Sequence, residues 1–143
     1  MIQRYISKVS GPLLDRIDIH LEVPPLNYEE LTDEKISESS KDIKKRVLKA
    51  KEIQKTRYSG GGYNYNALLT PKEIKRCCKL TDEAKELLKL AIVELNFSGR
   101  AYDKILKLAL TIADLAEKDV IDSECISEAI SYRSLDRRMW LSM

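Results

Sequence analysis

SGRAYDKILKLALTIADLA, residues 98–116, carries the most regular apolar pattern in the chain. Ile105, Leu108, Ala109, Ile112 and Leu115 recur at helical spacing, which predicts one broad buried face. Ser98 stands where a helix N-cap belongs, because its hydroxyl can accept an otherwise unpaired amide. Arg100 falls in the first turn. The helix dipole is unfavourable to a cation there, so its position points to an anion nearby. An exposed ion pair with Asp103 or Asp114 is the plainer alternative.

Working outward, the neighbours also read as helices. Thr81-Asp82-Glu83 opens one whose core face is Leu87, Leu88, Ala91, Ile92 and Leu95, with Asn96 as its end. Before it, Thr70-Pro71-Lys72-Glu73 has the form of a capping box with proline at the first helical position, predicting a short helix ending near Cys78. After Lys118, Asp119-Val120-Ile121 reads as extended. Asp122 or Ser123 then starts a last helix with Ile126, Ala129 and Ile130 inward. These helices are expected to pack as a bundle.

Further upstream, Ser39 or Ser40 can cap a helix reaching about Arg57, ~19 residues or roughly 28 Å long. Its stripe of Ile43, Val47, Ala50 and Gln54 is thin, so the helix should lean on the body along one side and project its basic side. From Lys41 to Arg57 there are eight Lys or Arg against two acids. Lys44, Lys45, Lys49, Lys51 and Lys55 are therefore candidates for contact with a nucleic-acid backbone through counterion release. A solvated helix face is the plainer alternative. Tyr58 to Asn66, with Gly60, Gly61 and Gly62, reads as a mobile connector.

At the N-terminal side, residues 2–9 suit a short helical turn. Ile17, Ile19, Leu21 and Val23 then alternate with Asp18, His20 and Glu22, the period of a strand with one buried face and His20 outward. No second convincing strand follows. A lone strand leaves its backbone donors and acceptors unmet, so its partners are expected in a part of the protein beyond this chain or in another copy.

The 143 residues suffice for one domain with a real core. With one Phe and one Trp, aliphatic side chains must build it. No run of ~18 apolar residues suggests a membrane span, and no signal-like apolar stretch opens the chain, so a cytoplasmic protein without membrane association is expected. Cys77, Cys78 and Cys125 form no disulfide framework. With one histidine and no CxxC, no metal site is expected. A net charge of +2 excludes a general polyanion binder.

Arg16 sits in SGPLLDRIDIH, residues 10–20, between Asp15 and Asp18. Both aspartates can hold it in a surface ion pair. Alternatively, like Arg100, it is placed to meet a phosphate, whose oxygens match the planar guanidinium fork. No GxxxxGK[ST] occurs, so the chain alone should not hydrolyse ATP. The C-terminal cluster of Tyr132, Arg133, Leu135, Asp136, Arg137 and Trp140 reads as a structural latch, in which Arg133 or Arg137 pairs with Asp136, or as an intersubunit contact.

SGPLLDRIDIH, SGRAYDKILKLALTIADLA and EAISYRSLDRRMW (residues 128–140), in that order and spacing, resemble the magnesium-chelatase-related AAA+ ATPases of the ComM/YifB type. The resemblance covers essentially the whole chain and corresponds to the C-terminal part of such a protein. It implies a mainly α fold, in which a helical lid bundle is preceded by one terminal strand of a missing α/β core and a long inserted helix. It also implies three segments: residues 1–25 as the end of the core, 26–69 as a linker with the basic helix, and 70–143 as the lid.

By the same resemblance, Arg16 is the arginine finger acting in trans on a neighbour's ATP, and Arg100 is the sensor-2 arginine. Asp15 and Asp18 would steer Arg16 by ion pairing in the empty state. ATP and Mg2+ are cofactors of the parent protein, with no tight binding expected from this chain alone. The implied partners are the rest of the protein, neighbouring subunits in a homo-hexamer, and DNA, which such motors remodel by branch migration. Three alternatives stand beside this reading: a magnesium-chelatase-type metal-insertion ATPase subunit, a stand-alone helical nucleic-acid-binding module, and a helical interaction domain without a ligand.

Overall fold

The computed structural model describes residues 13, 16–21, 23–25, 38–60 and 65–133. Among these, helices dominate: α1 (Ser40–Arg57), a 3-10 turn (Asn66–Leu68), α2 (Pro71–Cys77), α3 (Asp82–Leu95), α4 (Gly99–Leu115) and α5 (Ser123–Ser131). The chain is thus mainly α, as the apolar periodicity predicts.

Local chemistry starts and stops these helices. Ser39, Thr81, Ser98 and Asp122 each accept an amide of the first turn through a side-chain oxygen. The Glu73 carboxylate reaches back to the Thr70 amide at 2.8 Å and to its hydroxyl at 2.7 Å. Asn96 ends α3 with φ of 48°, in the left-handed region that Asn tolerates better than most residues.

α4 is the central post. Packed on it are α1, the 3-10 turn, α2 and α5, while α5 also packs on α3. Ala101, Ile105, Leu106, Ala109, Leu110, Ile112 and Ala113 of α4 are buried. From Ile105 onward they meet Cys125, Ile126, Ala129 and Ile130 of α5 in one continuous core. Leu115 is exposed, so the buried stripe ends sooner than its periodicity suggests and widens toward Leu106 and Leu110. Of the expected extended stretch 119–121, Asp119 and Val120 form a bend and only Ile121 is bridged: it is fully buried and forms a parallel bridge with Leu80. Ile121 donates to the Lys79 carbonyl at 2.9 Å, and its own carbonyl accepts from the Thr81 amide at 3.0 Å.

α1 leans on α4 along one side only. Ala50 and Gln54 are buried, whereas Ile43 and Val47 of the expected stripe are exposed. Packing is confined to the C-terminal half of the helix. Asn66 belongs to the core rather than to a loose connector, and is buried at the start of the 3-10 turn.

The alternating segment does not bury the apolar side expected of it. Ile17, Ile19, Leu21 and Val23 are exposed, and His20 is only 5% exposed. At the end of α5 the Tyr132 carbonyl accepts the His20 amide at 2.7 Å, which holds the backbone at His20 against the bundle. No described residue forms a ladder with 16–21 or 23–25. Residues 2–9, together with Leu135, Asp136, Arg137 and Trp140 of the expected latch, lie outside the described set.

Candidate functional site

Arg100 is the second residue of α4, two positions after the Ser98 cap, whose hydroxyl accepts the Ala101 amide at 3.1 Å. Its side chain is exposed at the helix entrance. Lys104 follows one turn later on the same face. Its amine donates to the Arg16 carbonyl at 2.5 Å and to Asp18 Oδ1 at 2.6 Å. Two segments far apart in sequence are thereby joined, with the Arg16 main chain tied one helical turn from Arg100. Arg16 is itself exposed.

The expected steering of Arg16 by Asp18 is corrected by this geometry. Asp18 spends its carboxylate on Lys104, whose ammonium also takes the neighbouring carbonyl and so wins the competition. Asp15 lies outside the described residues. Asp114, the alternative partner for Arg100, is also committed elsewhere. It is completely buried and binds the Arg57 guanidinium through both carboxylate oxygens.

That pair lies within a dense polar network. Asn66 donates to Asp114 Oδ2 at 2.8 Å and to Thr111 Oγ1 at 3.0 Å. Its own carbonyl oxygen accepts from Arg57 at 3.0 Å and from the Tyr58 hydroxyl at 2.7 Å. Its amide donates to Gln54 Oε1 at 3.1 Å. The hydrogen bonds it donates to Asp114 hold the Arg57 guanidinium charged well beyond its ordinary range. Burial, above all, pushes the Tyr58 hydroxyl up to about 12. The network cements α1 to α4. A sequence signal for it exists in retrospect: Asp114 follows Leu106 and Leu110 at intervals of four, which places a charge on a buried row.

On α1, Lys44, Lys45, Lys51 and Lys55 are exposed. Lys49 pairs with Glu117 at 2.6 Å, both half-exposed, a contact worth little in water. The lysines therefore remain together on the projecting side of α1. A cleft of about 870 Å³ opens between the C-terminal end of α1 and α2, lined by Arg57, Arg76, Cys77, Lys79 and Asp119 among others, and neither Arg16 nor Arg100 borders it. Among the described residues, no group of three or more His, Cys, Asp or Glu is arranged to hold a metal ion. None of the described helices is long and apolar enough to cross a membrane.

The pairing expected of Arg133 with Asp136 lies outside the described residues, but Arg133 itself is placed. Its side chain is completely buried and donates to the Ile17 carbonyl at 2.6 Å, which ties the end of α5 to the segment that carries Arg16.

Comparison with known proteins places these features in a family. The family model described as magnesium chelatase, subunit ChlI C-terminal, matches residues 37–133, and that of magnesium chelatase, subunit ChlI, matches residues 1–31. Competence protein ComM of Haemophilus influenzae is 41% identical over 138 residues, which cover 95% of this chain and 26% of that protein. Protein YifB of Escherichia coli is 39% identical over 135 residues, covering 94% of this chain and 26% of that protein. The chain thus spans about a quarter of the length of these relatives. A helical bundle built on α4, matched from before α1 to the end of α5, together with an arginine-bearing segment docked on it, is one piece of a larger molecule, and the chain belongs to the magnesium chelatase ChlI family, in its ComM/YifB branch.

Proposed function

We propose that this chain supplies the arginine-finger segment and the sensor-2 lid of a ring-forming AAA+ ATPase, whose ATP hydrolysis drives DNA remodelling. The observation that carries this reading is the tie from Lys104 to Arg16, one turn from Arg100. Arg16 and Arg100 are both exposed, and the Lys104 bond brings the Arg16 main chain to the N-terminal end of α4, an arrangement that suits two arginines serving polyphosphate.

The residues present fit such a ligand. An arginine at a helix entrance adds its charge to amides that already favour an anion. A second arginine beside it supplies a planar fork for the phosphate oxygens, worth most as charge spreads over the transferring group. Bound ATP and Mg2+ would supply the transferable phosphoryl group and its metal clamp. This chain contributes binding and charge neutralisation; its sequence contains no phosphate-binding loop.

The exposed row of Ile17, Ile19, Leu21 and Val23 fits the same picture. Four apolar side chains in alternation, uncovered by the described residues, suit burial against the sheet of an α/β core. Residues 1–25 then end that core, 26–69 bridge, and 70–143 form the lid. The exposed lysines of α1 supply a basic face for DNA phosphates.

The decisive experiment measures ATP turnover of the longer protein. Arg16→Ala or Arg100→Ala should each lower it by about 10³, as loss of a finger residue does, with the fold intact. Normal turnover in both variants would refute the assignment. The family model's own name supports a second reading, a metal-insertion subunit with the same two arginines. Stimulation of turnover by DNA favours the remodelling role, and its absence favours the other.

A further inference from the structure

We infer that Lys104 and Arg133 are positioning residues that bracket the Arg16 segment, so that the helical bundle sets where the Arg16 guanidinium points. This rests on the finger assignment above and extends it to residues that touch no phosphate. Three main-chain groups between 16 and 20 are held by the bundle. Lys104 of α4 takes the Arg16 carbonyl at 2.5 Å, and Arg133, past the end of α5, takes the next carbonyl, that of Ile17, at 2.6 Å. The Tyr132 carbonyl accepts the His20 amide at 2.7 Å.

The chemistry of the grip matters. Both side-chain donors are cations, and charge-assisted hydrogen bonds are about twice as strong as neutral ones. Each is set on a rigid support. Lys104 lies mid-turn in α4, and its side chain is only 17% exposed. Arg133 is completely buried where α5 ends. Cations on main-chain carbonyls also read no side chain of the segment, so Arg16 keeps its own side chain for a ligand. Asp18 adds a second acceptor for Lys104 at 2.6 Å, but it is 71% exposed and contributes less.

The consequence is mechanical. The backbone that carries Arg16 is fastened to the helices that carry Arg100, so the two arginines move as one body when the bundle tilts. Reaction rates are steep in such placement, since a shift of about 1 Å costs on the order of 10²-fold.

The test uses the longer protein and two readouts, steady-state ATP hydrolysis and tryptic cleavage of the Arg16–Ile17 bond followed by mass spectrometry. Lys104→Met should lower kcat by about 10- to 100-fold with KM for ATP within about twofold, because placement of the finger acts on the transition state. Lys104→Arg, which keeps the charge and the donor, should restore kcat to within about threefold of wild type. Cleavage at Arg16–Ile17 should quicken in Lys104→Met and return to the wild-type rate in Lys104→Arg. Arg133→Met, which removes the second cationic donor while keeping an apolar stem at the buried side, should also quicken cleavage, and serves as the test should Lys104→Met fail to fold.

Native kcat and native cleavage in Lys104→Met, alongside an inactive Arg16→Ala, overturn the bracket and leave the finger assignment standing. Native turnover in Arg16→Ala removes the finger assignment instead. The cleavage comparison then decides the bracket alone, and equal rates in wild type and the Lys104 variants overturn it.

Discussion

Arg57, the last residue of α1, holds both carboxylate oxygens of Asp114, a completely buried residue 57 positions later near the end of α4. This ion pair, rather than the apolar stripe of α1, docks the long helix. Only Ala50 and Gln54 of α1 are buried, too little apolar area to fix a helix of 18 residues. Asn66, with both its amide hydrogens and its carbonyl oxygen engaged, completes the joint.

Removing one partner of a buried pair strands the other charge, at a cost of about 4 kcal/mol. Asp114→Ala should lose about that much stability in urea unfolding. The double variant Arg57→Met/Asp114→Leu should recover much of the loss, because it leaves no unpaired charge. A double variant as unstable as the single one would show that the pair itself, not the stranded charge, sets the cost.

The three thiols should separate cleanly in reactivity. Cys78 and Cys125 are buried, and burial pushes the Cys78 thiol up to about 12. Cys77 is partly exposed on the cleft between α1 and α2. A disulfide reagent at about pH 8 should label one site quickly and two more only on unfolding, since the thiolate is the reactive form. Cys77→Ser should abolish the fast phase; persistence of that phase would contradict the burial pattern.

Asp122 caps α5 through the Cys125 amide at 3.0 Å and pairs with Lys118 at 2.5 Å. The Lys118 hydrogen bond, first, and the cap draw its carboxyl down to about 2. A lowered folded value means that the contribution is complete above the unfolded value of ~3.9 and is lost as pH falls toward 2. Asp122→Asn keeps a capping oxygen but removes the charge. Its deficit in urea unfolding should be constant from pH 7 to about 5, narrow below about 4 and close near 2. A deficit independent of pH would assign the effect to packing.

If Arg16 acts in trans, defects in different subunits should complement. Arg16→Ala subunits retain a complete nucleotide pocket, and subunits disabled in their phosphate-binding loop retain a complete finger. Each is inactive alone, and mixed rings should regain a substantial part of wild-type turnover, read by a coupled ATPase assay. No recovery across a range of mixing ratios would place the finger in its own subunit's pocket.

The α1 lysines are expected to act through phosphates and not through base edges. Replacing Lys44, Lys45, Lys51 and Lys55 by Gln should weaken DNA binding by the longer protein equally across sequences. It should also flatten the slope of log K against log[salt] by nearly one for each phosphate no longer neutralised. An unchanged slope would mark the lysines as a solvated face only. Lys49→Gln should matter least, since its charge is already shared with Glu117.

Helix boundaries are legible from residue types because caps and apolar periodicity act over three or four positions. Ser39, Thr81, Ser98 and Asp122 cap as their chemistry predicts, and Asn96 stops α3. The family is equally legible, since the motifs around Arg16 and Arg100 are contiguous. What is hidden in a linear reading is which polar group meets which across the fold. Asp18 lies beside Arg16 in the chain, yet binds Lys104. His20 alternates with apolar residues, yet is itself buried where Tyr132 and Arg133 hold the backbone around it. Hydrogen bonds are short and directional, so their partners are set by how helices pack and not by spacing along the chain; propensity acts locally and places the helices, while packing chooses the contacts.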